Sequence, residues 1–231
     1  MIRVKRLKTA WLALPLFLTV PVYGASVTGE VRISYTPEQL NPIKVSKDQD
    51  YCGQSLPNET YLIGPNGALK NVVVFIDKPP TGTPIPQKIN VLDNNGCRFS
   101  PRVMAIRLGD KLIINNNDPK LHIVHSYLQQ RTVFNASLPF RGSKLDMTSK
   151  IRSTGLLNVS CDTHNWMRAF IYVFDHPFFA VTDEKGSFSI PNLPLGHHTL
   201  KAWHEDAGVQ SWEVVVSGDR ETIVNVDFTK K

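Results

Sequence analysis

Short apolar runs separated by turns rich in Gly, Asn and Pro fill this chain, and within many of them apolar and polar residues alternate. Val27-Thr28-Gly29-Glu30-Val31-Arg32-Ile33 follows the period of two that puts one face of a strand in a core and the other in water. Leu69 to Ile76 and Gln87 to Leu92 read as further strands. Val103, Ile106 and Leu108, then Leu112, Ile113 and Ile114, form two strand-like runs around the turn signal Gly109-Asp110. After the polar turn Asn115-Asn116-Asn117-Asp118-Pro119 comes Leu121-His122-Ile123-Val124-His125. Nearer the C-terminus, Asp183 to Gly186 is a hairpin signal in which Gly186 suits a positive φ. Ser187 to Ile190, Thr199 to Trp203, Trp212 to Val216 and Ile223 to Phe228 complete the set. No segment of useful length carries the helical period, so the predicted class is all-β.

The first residues are an exception to this pattern. Arg3, Lys5, Arg6 and Lys8 precede an apolar run from Ala10 to Val22, and Val22 and Gly24 are small residues at cleavage spacing. Residues 1–24 therefore read as a secretory signal peptide cut after Gly24, which implies export to the periplasm or the extracellular space. No later apolar stretch is long enough to span a bilayer. The formal net charge is +6, and four of those charges lie in residues 1–24, leaving +2 on the remainder. That small surplus, with no basic cluster interleaved with aromatics, argues against nucleic-acid binding.

Three cysteines in an exported chain leave one over. Cys52 and Cys97 both sit in polar, turn-rich surroundings and are the natural disulfide pair in an oxidising compartment. Cys161 is then the odd thiol, and it opens Cys161-Asp162-Thr163-His164-Asn165-Trp166-Met167, a thiol, an imidazole and a thioether spaced C-x2-H-x2-M. One Cys, two His and one Met form the ligand set of a blue-copper centre. A thiolate and two imidazoles hold copper in a trigonal arrangement, and a weak axial Met leaves it little changed on redox. The second imidazole is sought upstream. His122 and His125 are three apart on a strand, so they face opposite sides and only one reaches a common metal. His122, where the strand opens from the Asn-rich turn, is preferred. Asn116 is expected to hydrogen-bond the loop that carries Cys161, outside the ligands themselves. The edge of His164 is the expected electron port, and Trp166 either forms an apolar docking patch with Leu121 or packs the loop against the sandwich.

These residues carry a resemblance. Gly109 to Asn116 followed by His122-Ile123-Val124-His125, with the C-x2-H-x2-M loop, makes residues 85–175 similar to a small cupredoxin of the amicyanin and plastocyanin kind. The loop spacing is nearer to that of amicyanin. The resemblance implies a Greek-key sandwich, one type 1 copper ion on His122, Cys161, His164 and Met167, and electron exchange with a c-type cytochrome or a dehydrogenase. Ile123 stands where the family commonly has Asn, and Thr163 and Asn165 where amicyanin has prolines.

The C-terminal run, Thr182-Asp183-Glu184-Lys185-Gly186-Ser187-Phe188-Ser189-Ile190 with Leu193-Pro194-Leu195-Gly196, resembles the carboxypeptidase regulatory-like, or transthyretin-like, β-sandwich. Together the two likenesses resemble methylamine-utilisation-type exported proteins. Residues after 175 are too few for a whole sandwich, so residues 26–80 and 176–231 are read as one sandwich with the cupredoxin, 85–175, inserted. A tandem layout with the cupredoxin spanning 26–175 is the alternative. In the inserted layout the Cys52–Cys97 bond staples the two sandwiches together. The seven His are scattered, with no H-x-H pair and no second Cys in the ligand loop, which argues against a dinuclear centre or an enzyme. A copper-handling protein and a metal-free envelope binding module are the competing readings.

Overall fold

The computed structural model describes residues 24–79, 86–218 and 221–230. The signal-peptide reading, apart from Gly24, and most of the crossing from Pro79 to Pro84 lie outside these residues. As expected, the fold is all-β, and the described residues include one four-residue helix, Gln49–Cys52, and two 3-10 turns.

Strands between residues 89 and 174 form two sheets. One has the order Arg131–Leu138, His122–Leu128, Gly155–Cys161, Arg168–Phe174, Val103–Arg107, antiparallel except for the last pair. The other runs Lys144–Asp146, Lys111–Asn116, Ile89–Asn94, Phe99–Ser100. Leu92, Leu112 and Ile114 from the second meet Val124, Leu157, Val159 and Ile171 from the first in one buried core.

The flanking residues form two more sheets. Gly24–Ile33 pairs with Ser187–Pro194 on one side and with Thr222–Ile223 and Val226–Phe228 on the other. Val73–Asp77 lies between Phe179–Val181 and Gly196–His204, and Gly208–Val216 completes that sheet. Val27, Val31 and Ile190 pack against Val74, Ile76, Leu200, Ala202 and Val214 in a second core.

Strand alternation explains how the two cores are joined. Along Arg168–Phe174, Ala169, Ile171 and Val173 point into the first core, while Phe170, Tyr172 and Phe174 point out of it. Along Val73–Asp77, Val74 and Ile76 face the second core, and Val73 and Phe75 face the other way. These outward sets, with Val103 and Trp203, form a third apolar cluster between the two sandwiches. A strand buried on both faces reads as a continuous apolar run, which is why Val72 to Ile76 shows no alternation. A paired charge closes the same boundary. Arg102 donates from Nε and Nη2 to the Glu205 carboxylate at 2.6 and 2.7 Å, and both side chains are nearly buried.

One stretch lies elsewhere than expected. The hairpin of Ile43–Lys44 with Ser55–Leu56 and the helix between them pack on the first core, where Val45, Cys52 and Leu56 are buried. The bond between Cys52 and Cys97 forms as expected. It does not staple two sandwiches, however, because both cysteines belong to the same core.

Removing one member of the Arg102–Glu205 pair leaves the other charge stranded in a dry boundary. Arg102→Ala is expected to cost roughly 3–5 kcal/mol in denaturant unfolding, with part of it recovered in the double variant Arg102→Ala, Glu205→Ala. A loss under about 1 kcal/mol is the figure for a solvated pair and would mean that the boundary is open in solution.

Candidate metal centre

Two neighbouring strands deliver the histidine and the thiol. His122 is the first residue of its strand and Cys161 the last of the next one, and Cys161 lies opposite Val124 in the ladder. The chain then turns, with the Met167 amide donating to the His164 carbonyl at 3.0 Å, before the strand that begins at Arg168. His122 and His164 are fully buried, and Cys161 and Met167 are nearly so. The Nδ1 atoms of His122 and His164 are 3.1 Å apart, and they lie 3.7 and 3.8 Å from the Cys161 Sγ. His125 points to the opposite face of the sheet, against Asp162, Tyr127 and Thr132. The structure thus brings together His122, Cys161 and His164, and sets Met167 three residues further along the same turn.

The outer nitrogens of both rings meet carboxylates. His122 Nε2 lies 3.0 Å from Asp118 Oδ2, and His164 Nε2 lies 2.9 Å from Asp48 Oδ2. A carboxylate only accepts, so each Nε2 carries the proton, and in a neutral ring Nδ1 is then a bare lone pair. Two such lone pairs and a sulfur therefore converge inside the core. Without a cation a proton must sit among them. The spacing also suits a metal. Edges of 3.1, 3.7 and 3.8 Å are what one ion bonded to all three at about 2.0 Å to nitrogen and 2.3 Å to sulfur would span.

The electrostatics agree with that donor set. Burial pushes the Cys161 thiol up, but hydrogen bonds from His122 and His164 and from the backbone outweigh it and bring the group down to about 5. For His122, burial works against the charged ring, yet Asp118 and the Cys161 sulfur raise it to about 9. Asp118 is opposed by burial as well, and is lowered to about 2 by His122, the Cys97 and Gly96 amides and the Tyr51 hydroxyl.

Asn116 acts differently from expectation. Its side-chain NH2 donates to the carbonyls of Lys120 and Leu138, and its Oδ1 accepts from the Asp118 amide. It fixes the turn that holds Asp118 and makes no bond to the Cys161 loop, because the turn folds back on itself before reaching that loop. Trp166 also departs from its expected docking role. It is buried, its Nε1 donates to the Cys97 carbonyl at 3.1 Å, and its ring packs on His164. Nor does the edge of His164 reach solvent, since Asp48 covers it. Leu121 alone of that patch is exposed.

Asp118 and Asp48 were not found from sequence. The four-residue step from Asp118 to His122 was a usable signal. Asp48 gives none, because it stands 116 residues from His164 and reaches it only through the fold.

No family model matches the chain, and no curated protein matches it in sequence. Solved structures resemble parts of it. A methionine-to-glutamine mutant of amicyanin in the Cu(I) state is 17% identical, with 37% of this chain and 81% of that one covered and a TM-score of 0.33. A purple cupredoxin from Nitrosopumilus maritimus is 19% identical over 36% of this chain and 97% of its own, with a TM-score of 0.31. A copper-containing nitrite reductase from Thermus scotoductus is 18% identical at a TM-score of 0.33, and 25% of its length is covered.

In the metal-free protein, the thiolate absorbance of Cys161 is expected to titrate with a midpoint near 5. Its contribution to stability is lost as pH falls through that value, whereas that of His122, whose pKa is raised, is lost as pH rises through about 9. His122→Gln should move the thiol midpoint upward, because it removes the largest hydrogen bond to the sulfur. An unchanged midpoint in that variant would show that the two side chains do not meet.

Proposed function

We propose that this chain is an exported blue-copper protein that carries single electrons between redox partners, with His122, Cys161, His164 and Met167 holding one copper ion. The convergence of two inward-facing imidazole nitrogens on a buried cysteine sulfur carries this reading. When bound, copper supplies a one-electron couple. The chain's own part is to hold the donors still. Carboxylates fix both rings, the Asp162 amide donates to the Ile123 carbonyl at 2.9 Å beside Cys161, and a packed sandwich surrounds the group. A donor set fixed by its surroundings rearranges little when its charge changes, which favours electron transfer.

Burial supports carriage over delivery or catalysis. A delivery protein needs donors within reach of a partner, and all four residues here are covered. The cavity beside Trp166 and Met167 measures about 10 Å3, which is room for about one water and no substrate. Among the described residues this is also the one cluster of three His, Cys or carboxylate groups with metal-binding spacing. The disulfide supports export, since such bonds persist in oxidising compartments. We read residues 85–175 as a cupredoxin inserted into a transthyretin-like sandwich, a layout supported by the pairing of Gly24–Ile33 with Ser187–Pro194 and Val226–Phe228. A c-type cytochrome or a dehydrogenase as partner rests on the cupredoxin resemblance alone.

Copper-loaded, oxidised protein should show an intense visible band from thiolate-to-copper charge transfer, and Cys161→Ser should abolish it. Retention of the full band in that variant would refute the assignment. His122→Gly should weaken or reshape the signal far more than His125→Gly, and the opposite order would mean that the wrong histidine has been chosen.

A further inference from the structure

The stretch 43–56 is more than a connection. Asp48 adopts the left-handed conformation, φ 53° and ψ 37°, at the start of the short helix, and its carboxylate lies against His164 Nε2. Three residues on, the Tyr51 hydroxyl donates to Asp118 Oδ1 at 2.9 Å, and Asp118 in turn holds His122. One short segment thus touches the supports of both histidines. Asp118 also accepts from the amides of Gly96 and Cys97 at 2.6 and 2.9 Å, and Cys97 is the residue bonded to Cys52 of the same segment. Lys120 Nζ lies 3.3 Å from Asp48 and 2.7 Å from Asp50, so a cation from the His122 turn bridges to it as well. Val45, Cys52 and Leu56 anchor the segment in the core.

We infer that residues 43–56 form a disulfide-tethered cap that is part of the metal centre, in which Asp48 positions the His164 ring and closes its outer edge. Asp48 does two separable things. As an acceptor it fixes the tautomer that turns Nδ1 inward, and as a negative charge it makes that ring a better donor to a bound cation. As a lid it leaves His164 with no exposed atom, so a redox partner does not reach the ring directly. The half of the inference that concerns metal rests on the copper reading. The half that concerns closure does not.

Two measurements keep those halves apart. In the metal-free protein, diethyl pyrocarbonate labelling read by mass spectrometry should leave His164 unmodified while exposed His197 reacts. Asp48→Ala should make His164 reactive, as should the double variant Cys52→Ser, Cys97→Ser, whereas Asp48→Asn, which keeps an acceptor, should preserve protection. Labelling of wild-type His164 as fast as His197, or continued protection in Asp48→Ala, would overturn the cap. In the metal-loaded protein, Asp48→Ala should lower copper affinity about 10–100-fold, as loss of a ligand's hydrogen-bond partner typically does. Asp48→Asn should keep the visible band and raise the reduction potential, because it removes the charge and not the acceptor. An unchanged potential in Asp48→Asn together with unchanged affinity in Asp48→Ala would overturn the positioning role. A wild-type protein that takes up copper without a visible band would instead count against the copper reading and leave the labelling result standing.

Discussion

Everything around the candidate metal centre depends on two carboxylates accepting from two buried imidazoles. Because Asp118 and Asp48 hold the Nε2 protons, the inner nitrogens of His122 and His164 are left facing each other and the Cys161 sulfur at 3.1 to 3.8 Å. Such a group is costly in a core. It is tolerable only with a positive charge at its centre, whether a shared proton or a metal ion. The lowered thiol and the raised His122 are the proton's version of that requirement. The rest of the local structure keeps the two carboxylates where they are.

For Asp118 the means are local. Asn116 folds the turn, two backbone amides and Tyr51 complete the carboxylate's partners, and no lone pair is left wanting. For Asp48 they are not local. A hairpin, a disulfide and three buried apolar residues carry it from a distant part of the chain. A loop of 45 residues closed by a disulfide is worth roughly 4 kcal/mol on the chain-entropy estimate.

This contrast explains what was legible in the sequence. Strand positions followed from alternation, and the C-x2-H-x2-M loop from the chemistry of its residues. That only one of His122 and His125 reaches the site followed from the period of two, the choice of His122 followed from its place after the Asn-rich turn, and the structure places them on opposite faces. Pairing the cysteines needed the odd count together with the polar, turn-rich surroundings of Cys52 and Cys97. What failed depended on surfaces meeting. Trp166 looked like a docking residue because a tryptophan beside a ligand is informative only once its neighbours are known, and here Cys97 and His164 bury it. Asn116 looked like a partner of the ligand loop, but its amide donates to Lys120 in its own turn and to Leu138 at the end of a neighbouring strand.

In the electron-carrying role proposed above, the covered edge of His164 would change where charge enters or leaves. The outer nitrogen of that buried ring is hydrogen-bonded to Asp48, the residue before the short helix, so the carboxylate lies over it. The segment bears Asp50 at its surface, paired with Lys120, so the face presented above the histidine is polar and charged. A partner of the proposed kind that approached this end would meet an acidic cap with a neighbouring lysine, not the bare apolar rim expected from the ligand loop alone. Specificity at that end would then arise from complementary charge, which governs encounter rate and depends on ionic strength.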